Sequence, residues 1–206
     1  MIGLSEFIDE LYTEKSPDAV KWFNMLMRKH PETYHHCIRV AMLAEKIAEP
    51  LGISGMEKDI LVRGCFMHDI GKTMIPREII EQTEPLTKQQ WNIIKLHPLV
   101  GAELVEANPA FGPQIADIVR SHHERWDGTG YPDGLKGEEI PFAARVCAVV
   151  DAFDSMTSDR HYRERKLTMA EAKLELVRHR ETQFDPDIVY ALMKLPDDML
   201  NIYSIM

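Results

Sequence analysis

The stretch Val146-Cys147-Ala148-Val149-Val150-Asp151-Ala152-Phe153-Asp154-Ser155-Met156 decides the fold. Its first residues could pass for a short buried strand. The apolar character then continues through Ala152, Phe153 and Met156, too far for a strand, so the stretch reads as helix. Upstream, Ile38, Ala41, Ala44, Ile47 and Ala48 recur at steps of three and four, the spacing of a buried helical stripe. Ser16-Pro17-Asp18 sets a capping hydroxyl, a first-turn proline and an acid ahead of Val20, Trp22 and Phe23, which predicts a helix from about 17 to about 29. Ser54 with Glu57, Thr87 with Gln90 and Thr168 with Glu171 have capping-box spacing, and Asp185-Pro186 opens a last helix. The fold class is all-α.

The 206 residues are those of one ordinary globular domain, with 45% apolar and 28% charged residues. A chain of this size buries roughly 70% of its unfolded surface and needs no structural metal or disulfide, so any metal is functional. Residues 1–30 read as a helical extension packed on the core of a main domain, 31–206. The net charge of −9 is dispersed along the chain, which argues against a nucleic-acid polymer or an anionic membrane as partner. A small anionic substrate stays compatible, because bound divalent cations invert the local field. Cys37, Cys65 and Cys147 lie far apart and read as buried reduced thiols. No basic segment followed by an apolar run opens the chain and no stretch approaches a membrane span, so the expectation is a soluble, cytoplasmic protein. The one long irregular segment runs from about Glu124 to Pro141 and is rich in glycine. Loops of that length are usually functional.

Nine histidines are present, and single His-Asp or His-His pairs carry little alone. His68-Asp69 follows the apolar run Ile60-Leu61-Val62 and Cys65-Phe66-Met67, which places the pair at the inner end of a helix. A buried His beside a buried Asp costs several kcal/mol unless each is paired or bound to a cation. The bland alternative is a satisfied buried hydrogen bond. Glu32 and His36 are four apart and share a helix face, whereas His35 points about 100° away, to the surface or behind a ligand. Glu32 also reads as a solvated acid of a first helical turn. His122-His123 ends an amphipathic helix and can feed two neighbouring metals, or be one core and one surface residue. Pro98 disfavours helical geometry at His97, which marks a break between two helices.

Taken together, His36-Cys37-Ile38-Arg39-Val40, His68-Asp69-Ile70-Gly71-Lys72, His97-Pro98, His122-His123-Glu124-Arg125-Trp126-Asp127-Gly128-Thr129-Gly130-Tyr131-Pro132 and Asp151-Ala152-Phe153-Asp154-Ser155-Met156-Thr157-Ser158-Asp159-Arg160 resemble, in order, the signature blocks of HD-GYP domains. The likeness covers about residues 30 to 195. It implies an all-α HD-superfamily helical bundle with a Gly-rich GYP loop, and a metal-dependent phosphodiesterase that hydrolyses the bacterial second messenger cyclic di-GMP to pGpG, GMP or both. By the same likeness the metal ligands are Glu32, His36, His68, Asp69, His97, His122, His123 and Asp151, with Asp69 as the bridge and Glu32 giving capacity for a third ion. Lys72, Arg160 and Arg163, with Gly130, Tyr131 and Pro132, hold substrate. Asp69, Lys72 and Asp154 are catalytic, Asp154 as a carboxylate behind the ligands or one that handles protons. His161 stands where the family usually has proline.

Two or three divalent ions are implied, and imidazole with carboxylate but no thiolate suits iron or manganese. Two ions about 3.5–4 Å apart can lower the pKa of a bridging water and stabilise the leaving oxygen. The implied partners are cyclic di-GMP, a diguanylate cyclase or other signalling protein docking on the GYP loop, and a second copy in a homodimer. Two alternatives stand beside the phosphodiesterase. One is a catalytically weak module that binds cyclic di-GMP or docks on a diguanylate cyclase. The other is an HD phosphohydrolase acting on another nucleotide.

Overall fold

The computed structural model describes residues 17–109, 111–158 and 165–202, with side chains from 21 onward. Among them the regular structure is all helical, with no strand beyond an isolated bridge between Arg180 and Phe184. Helix α1 (Pro17–Lys29) leads into α2 (Pro31–Ala48) and α3 (Gly55–Met67), and a 3-10 turn (Ile70–Met74) follows. Then come α4 (Arg77–Ile80), α5 (Lys88–Ile94), α6 (His97–Glu106) and α7 (Pro113–Ser121). After the Gly-rich loop lie α8 (Phe142–Thr157), α9 (Met169–Arg178), α10 (Pro186–Met193) and a short α11 (Asp197–Leu200).

The deciding stretch is helical. In α8 the buried positions Val146, Val149, Val150, Phe153, Asp154 and Thr157 follow helical spacing, so its valines face a core on a turn-by-turn stripe. The α2 stripe is buried as expected, with Ile38, Ala41, Ala44, Ile47 and Ala48 all at 1% exposure or less. Small residues there let α1, α3 and α8 pack closely around α2, while α6 packs on α7 and on the 3-10 turn and α7 packs on α3 and α8. Phe23 of α1 stacks on Phe66 of α3 with ring centroids 4.2 Å apart, which ties the first helix into the core. The three cysteines are fully buried and unbridged. None of the described helices is long and apolar enough to cross a membrane.

Two local expectations need correction. Thr87 with Gln90 and Thr168 with Glu171 form complete capping boxes, but Ser54 makes no side-chain cap. The next residue, Gly55, opens α3 at φ +56°, a left-handed conformation that turns the Ser54 hydroxyl away from the Glu57 amide. The break before Pro98 also falls earlier than expected: α6 starts at His97 itself, after a helical Leu96. Pro98 then occupies the second helical position, where its missing N–H leaves no intrahelical bond unmade. Asp185 caps the Asp187 amide as expected, though α11 follows the helix it opens. Arg160, His161 and Arg163 lie outside the described residues.

Candidate metal centre

Four buried histidines arrive from four different elements with the same orientation. His68, the residue ending α3, His97, which starts α6, and His122, which ends α7, each place Nδ1 2.6–2.7 Å from the carbonyl three residues earlier, at Cys65, Ile94 and Val119. A carbonyl only accepts, so each Nδ1 carries a proton, and in the neutral ring Nε2 is the nitrogen left with a lone pair. His36 does the same through a carboxylate, with Nδ1 2.7 Å from Asp154 Oδ2. The four Nε2 atoms converge on Asp69, and those of His36 and His68 also approach Asp151. His36 Nε2 lies 2.9 Å from Asp151 Oδ1 and 3.9 Å from Asp69 Oδ2. His68 Nε2 lies 3.5 Å from Asp69 Oδ2 and 3.9 Å from Asp151 Oδ1.

Asp69 sits at the middle because of glycine. A Cβ on Gly71 would lie 2.1 Å from the His97 carbonyl oxygen and 2.7 Å from the Gly101 nitrogen, so only glycine lets the 3-10 turn press against α6. That contact brings Asp69 Oδ1 within 3.1 Å of His97 Nε2. The approach is not a hydrogen bond, because the His97 proton is on Nδ1, and Oδ1 is left buried without one. His68 Nε2 is likewise buried with no partner. His97 Nε2 and His122 Nε2 face each other at 3.2 Å, lone pair to lone pair. Buried polar atoms left so are costly, and a divalent cation satisfies all of them at once. The donor set fits a metal.

Ligand atoms of Asp69, His97, His122 and His123 lie within 4.8 Å of one another, and so do those of His36, His68 and Asp69. Asp69 belongs to both groups, as a bridge requires. The charge state suits the purpose: although burial favours the neutral acid, Lys72 and His68 hold the Asp69 carboxyl well below the usual range. Asp151 is held well below its range by its bond to His36, against the same burial. Burial lowers His97 and His122 and takes His123 down to about 3. Against burial, which pulls it down, His68 is raised to about 9 by Asp69, the Asp151 charge and the Cys65 carbonyl together. Two carboxylates and mostly neutral imidazoles are ready to bind cations.

Glu32 sits on the exposed side of the first turn of α2, one turn from His36 and outside both groups, and His35 is exposed as expected. Lys72 Nζ donates to Asp69 Oδ2 at 2.6 Å, so its charge is spent on the bridging carboxylate here. Two residues that sequence reasoning gave no role complete the site. Arg39 grips Asp154 with Nε at 2.7 Å from Oδ1 and a terminal nitrogen at 3.0 Å from Oδ2, and Ser158 adds a bond at 3.0 Å. Asp154 is fully buried and held near 2, burial notwithstanding, by His36 and Arg39, so it orients His36 and stays ionised. Arg39, one helical turn past His36, was the available signal. Glu124 is the other: buried at 3%, its Oε1 accepts from the Asp133 and Gly134 amides at 2.7 and 3.0 Å and closes the Gly-rich loop. A Cβ on Gly130 would lie 2.5 Å from the Arg125 nitrogen, so the loop crosses its own start there. Tyr131 is thereby laid against His123, ring centroids 4.9 Å apart, beside a cis Tyr131-Pro132 bond.

Residues 22–188 match the HD domain family. The chain is 34% identical over 205 residues to a cyclic di-GMP phosphodiesterase of Thermotoga maritima, covering 97% of this chain and 55% of that protein. It is 32% identical over 180 residues to 3'3'-cGAMP-specific phosphodiesterase 2 of Vibrio cholerae, covering 87% of this chain and 34% of the other. The chain thus spans about half or less of the curated relatives it matches. Among solved structures, Bd1817, an HDG"Y"P protein from Bdellovibrio bacteriovorus, superposes with a TM-score of 0.65 at 24% identity, over 77% of this chain and 50% of that one.

Proposed function

The chain belongs to the HD domain family, and from that membership we propose that it hydrolyses a cyclic dinucleotide, cyclic di-GMP foremost, to pGpG and GMP at a centre of two or three iron or manganese ions. The observation that carries this reading is the convergence of four buried histidine Nε2 atoms on Asp69, with those of His97 and His122 facing each other at 3.2 Å. Such a set has no use in a nucleophilic-serine or cysteine mechanism, and the three thiols are buried away from solvent.

When bound, divalent ions supply Lewis acidity toward a phosphoryl group. The protein's own residues do the rest. Asp69 joins the two ligand groups and fixes their separation. Asp154, held by Arg39, keeps the His36 proton on Nδ1 so that Nε2 always faces the centre. That makes it a positioning residue instead of a proton carrier. Lys72 is near enough to trade part of its contact with Asp69 for a phosphate oxygen once cations neutralise the carboxylate, and Arg160 and Arg163 are assigned to the phosphates beside it. Glu32, one turn ahead of His36, is the carboxylate assigned to a third ion.

A chromatographic time course on cyclic di-GMP, 3'3'-cGAMP and pGpG tests the reading. Conversion of cyclic di-GMP to pGpG or GMP, faster than cleavage of 3'3'-cGAMP, is the expected result. The second reading, a preference for 3'3'-cGAMP, is favoured by the Vibrio cholerae relative. Cleavage of neither cyclic dinucleotide by metal-loaded protein sinks both.

A further inference from the structure

We propose that Lys95 is a substrate-binding residue that holds the phosphodiester of the cyclic dinucleotide which is not being cut. The proposal rests on the phosphodiesterase reading and adds to it a residue that no signature block contains. Lys95 ends α5, two positions before His97. Its side chain carries the ammonium to 5.1 Å above the Tyr131 ring, and that ring lies against His123. A cation therefore stands at the rim of the centre, one aromatic ring away from a candidate ligand.

Its place separates Lys95 from the other surface lysines. Like Lys46, Lys88 and Lys194, it pairs with no carboxylate among the described residues, but the ring beneath it, unlike Tyr190 beneath Lys194, lies against a candidate metal ligand. The cation closest to the centre, Lys72, is committed to Asp69. Lys95 is also exposed, and an exposed ammonium over a ring is weakly held, so a phosphate oxygen displaces the ring in a stronger, charge-assisted bond. A cyclic dinucleotide presents two diesters on one ring. With one at the histidine cluster, the other needs a cation at the rim, on a stem long enough to follow it.

The test compares Lys95→Ala and Lys95→Arg with the parent protein on two substrates, cyclic di-GMP and bis(p-nitrophenyl) phosphate, which has a single diester and no second phosphate to hold. Metal content and melting temperature are measured alongside. For Lys95→Ala the KM for cyclic di-GMP should rise about tenfold, or about 1.4 kcal/mol, with kcat changed much less, metal content matching the parent and Lys95→Arg recovering part of the loss. The loss on bis(p-nitrophenyl) phosphate should be several-fold smaller. Equal losses on both substrates, or an unchanged KM for cyclic di-GMP, overturn the assignment of Lys95 while leaving the phosphodiesterase reading intact. A parent protein that cuts bis(p-nitrophenyl) phosphate but no cyclic dinucleotide overturns that reading, and this proposal with it.

Discussion

Asp154 shows how much a single side chain can decide in a site built from histidines. It is fully buried, accepts from Arg39 twice, and fixes the proton of His36. Asp154→Ala leaves the mostly buried Arg39 guanidinium without its carboxylate, a loss worth about 3–5 kcal/mol of stability for a broken buried pair. Metal affinity should fall roughly 10–100-fold, because an untethered His36 no longer presents Nε2 to the centre. Chemical denaturation and metal titration read the two effects separately. Asp69→Ala should behave differently: metal loading and hydrolysis vanish while far-UV circular dichroism stays that of a helical fold. Full activity in that variant would show the bridge to be misassigned. The sequence made His68-Asp69 and His122-His123 legible because covalent neighbours are visible as a motif. It hid the Arg39–Asp154 pair, whose partners stand 115 positions apart and meet only because α2 packs on α8.

At the scale of elements, periodicity and capping chemistry revealed most of the helices. The valine-rich stretch was ambiguous only over its first residues, and the spacing of Val146, Val149, Val150 and Phe153 resolves it. Where the reading slipped, glycine or proline was responsible: Gly55 with its positive φ cancelled the Ser54 cap, and Pro98 fitted inside a helix start instead of before one. How closely two elements approach was not legible, since Gly71 reveals its purpose only beside the His97 carbonyl. Gly71→Ala should cost at least about 3 kcal/mol, the upper end of overpacking penalties, because the obstacle is backbone and cannot rotate away. It should also move Asp69 off His97 and lower manganese affinity. Gly101→Ala is the milder control: its nearest obstacle, at 2.8 Å, is a Val119 methyl that can shift. Thermal melts that rank the two variants in the opposite order would contradict this view of the turn. In the Gly-rich loop, Glu124→Ala removes the acceptor for the amide bonds of Asp133 and Gly134, so amide exchange at those two residues should speed markedly while the helices stay protected.

Across the whole molecule, the centre joins α2, α3, α6, α7 and α8 at one point, so cations bound there stabilise the entire bundle. A metal present at a hundred times its Kd adds about 2.7 kcal/mol, or about 5–10 °C in melting temperature for a chain of this length. Chelation followed by calorimetry should reveal that drop, with helicity retained in the metal-free protein. An apo protein that melts at the same temperature would argue that the cluster binds nothing tightly. Periodicity and capping pointed correctly to an all-α fold, but the place proposed for Lys95 was not legible, since it depends on Tyr131, 36 positions away along the chain. The most direct measurement is an anaerobic titration of the metal-free protein with manganese, following bound metal and cleavage of cyclic di-GMP on the same samples. Cleavage should be absent at the start, grow with occupancy and level off at about two or three ions per chain, with Glu32→Ala removing the last of three. Cleavage by the metal-free protein, or saturation with metal and no cleavage at any occupancy, would contradict a metal-dependent phosphodiesterase.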